Sequence, residues 1–400
     1  MLFCIAHGVT MRTLTDFEIA ALAEPLNFAD GHATHEAMSF DEIVEDNVLA
    51  LRDCYRVSIP EAEERFRSTF ATVVASPTLG SWAKFKICPS ASVSIEIVAL
   101  VLQALGVVTN LTQPTFDNLA LILKRHKVHL GNPVDEVELE VASACGRVDD
   151  YLASLGGSAV FLVNPNNPTG RSLGPETLRR IAAHCAAAGK VLVLDNSFRL
   201  FNRAPFDDYC ILADAGVSFL AFEDTGKAVP ANELKASLLI CSADLEPYVK
   251  EIYNEVWLCT SPKTLLVLER HLCRYLTVGL PTVLWDVVDD RRKMIRKAIA
   301  GSGLDVAEGC AGSQLPVEWI DCSGTGLSDL ELTHNFASQG LLVLPGRQFY
   351  WNSQDADRSQ KFIRLAMLKP KNRFDLSVER LAHLARFAPL HDGRKLCDVC

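Results

Sequence analysis

Apolar and polar positions along the first 250 residues form a pattern typical of strands separated by helices. Six short apolar segments predict strands. They lie near Lys86, Val107, Val160, Val191, Phe219 and Leu238. Helical stretches such as 93–105 and 176–188 separate them. Because strands that alternate with helices form layered sheets, this pattern predicts an α/β fold.

The pattern changes after about Glu251, where it becomes helical through Ala300. Shorter strand candidates follow at 317–319 and 341–344. We therefore expect a large domain at 47–250. A small domain is expected from 1–46, which includes an N-terminal lid segment, together with 251–392. Residues 393–400 are expected to form a C-terminal tail.

Composition argues against several classes of protein. The chain has 400 residues, of which 49% are hydrophobic, so it can bury a large core. Its formal net charge of -10 argues against a nucleic-acid-binding surface. Its 13 cysteines have no spacing typical of a disulfide framework, and no metal is expected because neither HxxH pair has a nearby third ligand. The longest apolar run, 97–102, is too short to cross a bilayer. Since no secretory signal is evident, we expect a cytoplasmic protein.

Three groups that suit a pyridoxal phosphate site follow one another along the chain. Residues 164–170 read Asn-Pro-Asn-Asn-Pro-Thr-Gly, Asp195 ends an apolar run, and Lys227 follows Glu-Asp-Thr-Gly. A lysine amine is needed to hold the aldehyde cofactor as a Schiff base, and a carboxylate keeps the pyridine nitrogen protonated. Asn167 can donate to the phenolic oxygen of the ring. The sequence therefore predicts pyridoxal phosphate as the cofactor.

The cofactor's phosphate needs an anion site, and the start of a predicted helix offers one. Ser90, Ala91 and Ser92 precede the apolar residues of that helix, so hydroxyls and unpaired amides are expected at its N-terminus. Thr225 adds a hydroxyl, and Lys235 adds a positive charge.

These motifs resemble those of the class I/II aminotransferases, which have fold type I of the pyridoxal phosphate enzymes. The resemblance covers nearly the whole chain. It implies a large domain with a mainly parallel seven-stranded sheet flanked by helices, a smaller α+β domain, and a homodimer. Arg364 matches the arginine with which this family clamps the α-carboxylate of the substrate.

Departures from ordinary transaminases narrow the expected substrate. Phe198 stands where those enzymes carry a tyrosine whose hydroxyl bonds the ring oxygen. Lys235 replaces the usual phosphate arginine, and Asp224 takes a position that is often serine. An extra carboxylate near the cofactor favours a substrate with a cationic tail.

The N-terminal region resembles one subgroup, the O2- and pyridoxal-phosphate-dependent arginine oxidases and 4-hydroxylases of natural-product biosynthesis. The matching blocks include Thr-Asp-Phe-Glu at 15–18 and Leu-Asn-Phe-Ala-Asp-Gly-His-Ala at 26–33. This resemblance implies that Thr15 lies on a helix that closes over the substrate, and that Phe116 stacks on the cofactor ring. It implies that His32 is an additional catalytic group.

The same resemblance assigns the remaining site residues. Ser197, in the block Asp-Asn-Ser-Phe-Arg at 195–199, joins the cofactor-binding set. Glu18, Asp30 and Asp224 are candidates to receive a guanidinium, because a cluster of carboxylates suits a planar cation with five donors.

The resulting hypothesis is an oxidase or hydroxylase of L-arginine that consumes O2 and works through external aldimine and quinonoid intermediates. It gives 4-hydroxy-2-oxoarginine, 2-oxoarginine, or both, with ammonia and peroxide. Two alternatives stay open: an aminotransferase that uses a keto-acid acceptor, and a pyridoxal-phosphate-dependent hydroxyarginine cyclase. The sequence leaves undecided which guanidino compound is the substrate.

Overall fold

The structure is a computed structural model that describes residues 13–231 and 234–387, so the predicted tail at 393–400 lies outside the described residues. The helices are α1 (Leu14–Leu22), α2 (Phe40–Asp53), α3 (Ile59–Val73), α4 (Pro77–Ser81), α5 (Ala91–Ala104), α6 (Asp117–Arg125), α7 (Glu136–Ala144), α8 (Val148–Ser154), α9 (Pro175–Ala187), α10 (Asp208–Ala215), α11 (Glu246–Val256), α12 (Pro262–Val278), α13 (Asp286–Ile299), α14 (Asp329–Ser338), α15 (Ala356–Ser359) and α16 (Lys371–Phe387). The strands are β1 (Phe85–Cys88), β2 (Val108–Gln113), β3 (His129–Leu130), β4 (Val134–Asp135), β5 (Ala159–Val163), β6 (Val191–Asn196), β7 (Phe219–Asp224), β8 (Ser237–Cys241), β9 (Asp305–Val306), β10 (Val317–Asp321), β11 (Leu344–Pro345) and β12 (Phe362–Ala366).

The larger sheet confirms the predicted α/β class. Its strands run in the order β1-β8-β7-β6-β5-β2-β3, and the two-residue strand β4 also pairs with β2. Strands β3, β4, β2, β5, β6 and β7 pair in parallel, while β8 runs antiparallel to both of its neighbours, β7 and β1. The sheet is therefore mainly parallel, as predicted, with seven strands in sequence and β4 as an eighth.

Helices cover both faces of this sheet, which explains why its central strands are almost continuously apolar. Successive side chains of a strand point to opposite faces. Phe161 and Val193 accordingly belong to a core cluster with α5, α6 and α11. Val160 and Leu192 belong to a second cluster that includes side chains of α3, α9, α10 and α12.

A smaller antiparallel sheet, β11-β12-β10-β9, contains Arg364 in its strand β12. The strand predicted at 341–344 is only partly present, because β11 begins at Leu344 and pairs there with Arg364. Leu342 instead forms an isolated bridge with Asn27. The segment after α1 therefore packs beside the C-terminal sheet, and the backbone N–H of Phe28 donates to the carbonyl of Leu342 at 2.8 Å.

Candidate functional site

A cavity of about 220 Å³ lies at the carboxyl ends of β5, β6 and β7, the edge where open parallel sheets bind ligands. Most of the predicted site residues line it. These are Thr15, Glu18, His32, Ser90, Ala91, Ser92, Phe116, Asn167, Asp195, Ser197, Asp224, Lys227 and Lys235. Phe198 lines the same cavity, whereas Thr225, Asp30 and Arg364 are not among its lining residues.

Asp195 is the penultimate residue of the buried strand β6 and lines this cavity. Its Oδ1 accepts hydrogen bonds from the backbone N–H of Ser197 at 2.9 Å and from the Ser197 hydroxyl at 2.5 Å. Burial raises the pKa of Asp195 to about 6, although the bonds from Ser197 and the charge of Lys227 act in the opposite direction. A buried carboxylate of this kind suits a cationic partner such as a pyridinium nitrogen.

Lys227 follows β7 in a tight turn. Gly226 permits that turn, because a Cβ there would lie 3.1 Å from Lys235 Cδ and 3.3 Å from Asp224 Oδ2. The Thr225 hydroxyl ties the turn to the backbone of Ala236. It donates to the carbonyl of Ala236 at 3.1 Å and accepts from the Ala236 N–H at 2.9 Å. A cofactor-binding role for Thr225 stays a prediction.

Asp224 is the last residue of β7 and is buried. Burial raises its pKa, while the nearby charge of Lys227 lowers it. Among the described residues, its Oδ1 has no hydrogen-bond partner. Because a buried acceptor without a partner is costly, this oxygen is well suited to a donor supplied by a ligand.

The N-terminus of α5, where the sequence predicts an anion site, lies at the cavity. Ser90 is the N-cap residue of this 14-residue helix, and its side chain makes no capping hydrogen bond. A hydrogen bond in its first turns anchors the helix to β8, since Ser94 Oγ lies 2.8 Å from Ser237 Oγ. Ser90, Ala91 and Ser92 all line the cavity beside Lys235, so this helix end fits a phosphate group.

The turn that carries Asn167 is held by buried hydrogen bonds. The backbone N–H of Asn164 donates to the carbonyl of Asp195 at 2.8 Å, which ties the turn to β6. Asn166 Nδ2 donates to Glu136 Oε2 at 2.7 Å. Asn167 is buried, and its Oδ1 has no partner among the described residues. Glu136 supports the site although the sequence motifs did not identify it.

Helix α1 brings Thr15 and Glu18 to the cavity, and its first N–H, from Leu14, donates to Asp117 Oδ2 at 2.8 Å. Glu18 Oε1 accepts a hydrogen bond from Arg364 Nη2 at 3.2 Å. Arg364 also donates to the carbonyl of Ala29. Its Nε is buried and has no hydrogen-bond partner among the described residues.

Asp30 was predicted to receive a guanidinium, but in the structure it contacts two side chains of the protein. Its Oδ1 contacts His32 Nδ1, and its Oδ2 accepts from Lys369 Nζ at 2.6 Å. Both oxygens are therefore engaged within the protein. Lys369, which the sequence motifs did not identify, is buried beneath this pair.

A second cavity, of about 540 Å³, shares only Val163 with the first. Glu136 and Arg171 line it, but none of the predicted site residues does. The smaller cavity is the candidate active site, because it alone combines Lys227 with Asp195. No group of three or more His, Cys, Asp or Glu side chains within 13–231 and 234–387 is placed to hold a metal ion.

Comparisons with known proteins agree with this geometry. A family model for aminotransferase class I and II matches residues 113–381. The solved structure of MppP soaked with its product 2-ketoarginine is 30% identical, covers 90% of this chain and 99% of its own, and superposes with a TM-score of 0.79. Among curated proteins, a threonine-phosphate decarboxylase from Sinorhizobium sp is 54% identical over 39 residues, which are 10% of this chain and 12% of that relative.

More distant structures share the fold. Bna3p, a putative kynurenine aminotransferase from Saccharomyces cerevisiae, is 14% identical and covers 96% of this chain and 98% of its own, with a TM-score of 0.73. Aspartate aminotransferase from Thermus thermophilus with maleate is 13% identical over 95% of this chain and 98% of its own, also with a TM-score of 0.73. The chain therefore belongs to the pyridoxal-phosphate-dependent aminotransferase class I and II family.

Proposed function

We propose that this protein is a pyridoxal-phosphate-dependent oxidase or hydroxylase of L-arginine that consumes O2. Its products are 4-hydroxy-2-oxoarginine, 2-oxoarginine, or both, with ammonia and hydrogen peroxide. The observation that carries the proposal is the buried Asp224 carboxylate, whose unpartnered oxygen lies at the cavity that Lys227 also lines. The similarity to MppP, whose product is 2-ketoarginine, favours the same substrate class.

The lining residues fit the cofactor. The buried Asp195 suits the ring nitrogen, the Nδ2 of Asn167 can donate to the ring oxygen, and the N-terminus of α5 suits the phosphate. When bound, the cofactor supplies an aldehyde for the substrate's amino group and a ring that withdraws electrons from its α-carbon. Lys227 holds the cofactor and acts as the base at the α-carbon.

We assign one charged side chain of the protein to each end of the substrate. Arg364, with a spare Nε donor, is assigned to the α-carboxylate. Because Glu18 already pairs with Arg364, its carboxylate lies at that end of the substrate. Asp224 is therefore the carboxylate that we assign to the guanidinium, and we assign His32 to activate the water that adds to the γ-carbon.

The first experiment separates the oxidase from its alternatives. Purified holoenzyme is mixed with L-arginine with and without O2, and oxygen uptake and product mass are followed. We expect oxygen uptake and 2-oxoarginine or its 4-hydroxy derivative without any added keto acid. Turnover that requires a keto acid would identify an aminotransferase. Turnover of hydroxyarginine without O2 would identify a cyclase.

The second experiment tests the assignment of Asp224. Citrulline is a neutral analogue of arginine, so the ratio of kcat/KM for the two compounds measures recognition of the positive charge. Asp224→Asn should lower the preference for arginine about 10-fold to 100-fold, because a charged hydrogen bond is lost. The exposed Asp290→Asn is the matched control and should keep the wild-type ratio. An unchanged ratio in Asp224→Asn would remove this assignment.

The family resemblance supports a proposal for the quaternary state and the cellular location. We propose a homodimer, as the resemblance implies, and a cytoplasmic enzyme. No helix in the described part of the chain is long and apolar enough to span a membrane.

A further inference from the structure

A row of three ionisable side chains leads from the protein interior to the cavity. Lys369 Nζ donates to Asp30 Oδ2 at 2.6 Å and also to the backbone carbonyl of Asp30. Asp30 Oδ1 in turn contacts His32 Nδ1. Lys369 and Asp30 are each only 4% exposed, whereas His32 lines the cavity.

We propose that Asp30 and Lys369 are positioning residues for His32. Lys369 holds the Asp30 carboxylate, and Asp30 holds the imidazole so that Nδ1 carries the proton of the neutral ring. Nε2 is then the basic nitrogen. This inference deepens the proposed function, since it gives Asp30 a role through His32 instead of a contact with the guanidinium.

The backbone around Asp30 keeps its carboxylate in place. Asp30 Oδ1 also accepts from the backbone N–H of His32 at 3.0 Å. The N–H groups of Asp30 and Ala29 both donate to Asn27 Oδ1, at 3.0 and 2.8 Å. Rotation of Asp30 toward the cavity would break the bonds to both His32 and Lys369. The Asp30 carboxylate is therefore held in contact with His32 and Lys369.

The charges near this row favour an ionised Asp30. Burial opposes ionisation, but the hydrogen bond from His32 and the charge of Lys369 hold the pKa of Asp30 well below its usual range. Burial lowers the pKa of Lys369, while the charge of Asp30 raises it. Arg364 and Glu18 act on Lys369 from the neighbouring elements with opposite signs, and His32 acts on Asp224 across the cavity.

An ionised Asp30 determines which tautomer the imidazole adopts. A carboxylate only accepts hydrogen bonds, so the ring nitrogen that it contacts must donate. The proton of the neutral ring then resides on Nδ1, and Nε2 can accept a hydrogen bond from water. The same division of roles occurs in Ser-His-Asp triads, where the carboxylate orients the imidazole without itself acting on the substrate.

The tautomer can be measured directly on holoenzyme labelled with 15N-histidine. The His32→Gln variant identifies the signals of His32, and the pH is raised until the ring is neutral. We expect a proton on Nδ1 and none on Nε2. A neutral ring protonated on Nε2 overturns the proposal. This readout does not depend on turnover, so it stands even if arginine proves not to be the substrate.

Two variants then test the contribution of each partner. Asp30→Asn and Lys369→Met should both increase the Nε2-protonated tautomer, and should lower the ratio of hydroxylated to deaminated product by about 10-fold. Lys371→Met is the matched control, because Lys371 is an exposed lysine two residues away, and should leave both unchanged. If Lys369→Met does not fold, the nearly isosteric Asp30→Asn variant alone tests the proposal by its tautomer. An unchanged tautomer in Asp30→Asn overturns the proposal.

Discussion

At the residue scale, Phe198 offers a simple test of how the site differs from ordinary transaminases. Its ring is buried and lines the cavity, at the position where those enzymes present a tyrosine hydroxyl. Phe198→Tyr should lower the pKa read from the visible absorbance of the bound cofactor by about 1, because a donor to the ring oxygen competes for its negative charge. A spectrophotometric pH titration measures this.

Phe198→Leu is the control for that titration, since it removes the ring without adding a donor. Its absorbance pKa should stay close to that of the wild type. If Phe198→Tyr also leaves the pKa unchanged, the side chain at this position does not reach the cofactor.

The sequence predicted those site residues whose chemistry is tied to a local motif. Lys227, Asp195 and Asn167 come together because each lies at or just beyond the carboxyl end of a parallel strand, and parallel strands end at one edge. Lys369 could not be predicted in this way, because its partner Asp30 is 339 residues away and its own segment carries no motif. Asp30 was identified, but only the folded chain shows that both of its oxygens are engaged.

At the element scale, Glu136 holds the turn that carries Asn167. Its Oε2 accepts from Asn166 Nδ2 and from Thr169 Oγ1, each at 2.7 Å. Burial raises the pKa of Glu136 to about 7 from a usual value of 4.5, although these bonds and Arg171 lower it. The folded protein therefore binds a proton near pH 6 that the unfolded chain has lost.

This difference predicts a pH dependence of stability. The contribution of protonated Glu136 is complete below pH 4.5 and is lost as the pH rises through about 7. Between pH 5 and pH 8, wild type should therefore lose up to about 3 kcal/mol more stability than Glu136→Gln. Thermal melting at several pH values measures this. Glu140→Gln, which changes an exposed partner of Arg171, should keep the wild-type pH dependence. Parallel curves for wild type and Glu136→Gln would contradict the prediction.

Elements with a strong periodic pattern were predicted close to their observed bounds. The helix expected at 93–105 is α5 (Ala91–Ala104), and the one expected at 176–188 is α9 (Pro175–Ala187). The two-residue strands β3, β4 and β9 were not predicted, because two residues cannot establish a period. β12 was also missed as a strand. The antiparallel direction of β8 depends on long-range pairing with β7, which local pattern does not encode.

At the scale of the whole molecule, α2 presents an apolar stripe. Phe40, Val44, Val48 and Leu51 lie on one face at helical spacing, and all are exposed. The same helix is attached to α12 by ion pairs such as Arg270–Asp53, with 2.8 Å between Nη2 and Oδ2. Because contiguous exposed apolar side chains mark interaction surfaces, this stripe is suited to the proposed homodimer.

Substitution within the stripe should weaken that dimer. We expect the wild type to sediment as a dimer at micromolar concentration, and Val48→Asp to shift it toward monomer, because a charge would be buried in an apolar interface. Analytical ultracentrifugation measures this. Val141→Asp introduces the same change at an exposed valine on α7 and should remain dimeric. A monomeric wild type, or a Val48→Asp protein that stays dimeric, would contradict the prediction.

The α/β class and the mainly parallel sheet could be predicted because alternation of strands and helices restricts the topology to few solutions. Residues 1–46 were expected to join 251–392 in a small domain, but the individual contacts between these distant parts could not be predicted. The backbone N–H of Ala366 donates to the carbonyl of Phe28 at 2.7 Å, and that of Thr34 donates to the carbonyl of Leu368 at 2.8 Å. Such contacts depend on how the smaller sheet, β11-β12-β10-β9, packs, and a local sequence pattern does not predict that packing.

The ion pair between Glu18 and Arg364 links α1 to β12, and it places a carboxylate of the protein against the guanidinium that we assign to the substrate's α-carboxylate. If Arg364 binds the substrate's α-carboxylate as we propose, that carboxylate must compete with Glu18 for the Nη2 donor of Arg364. A decarboxylated guanidine, such as agmatine, has no carboxylate with which to compete with Glu18. The Glu18 carboxylate would thus make the enzyme discriminate against amines. Glu18→Gln would weaken this discrimination.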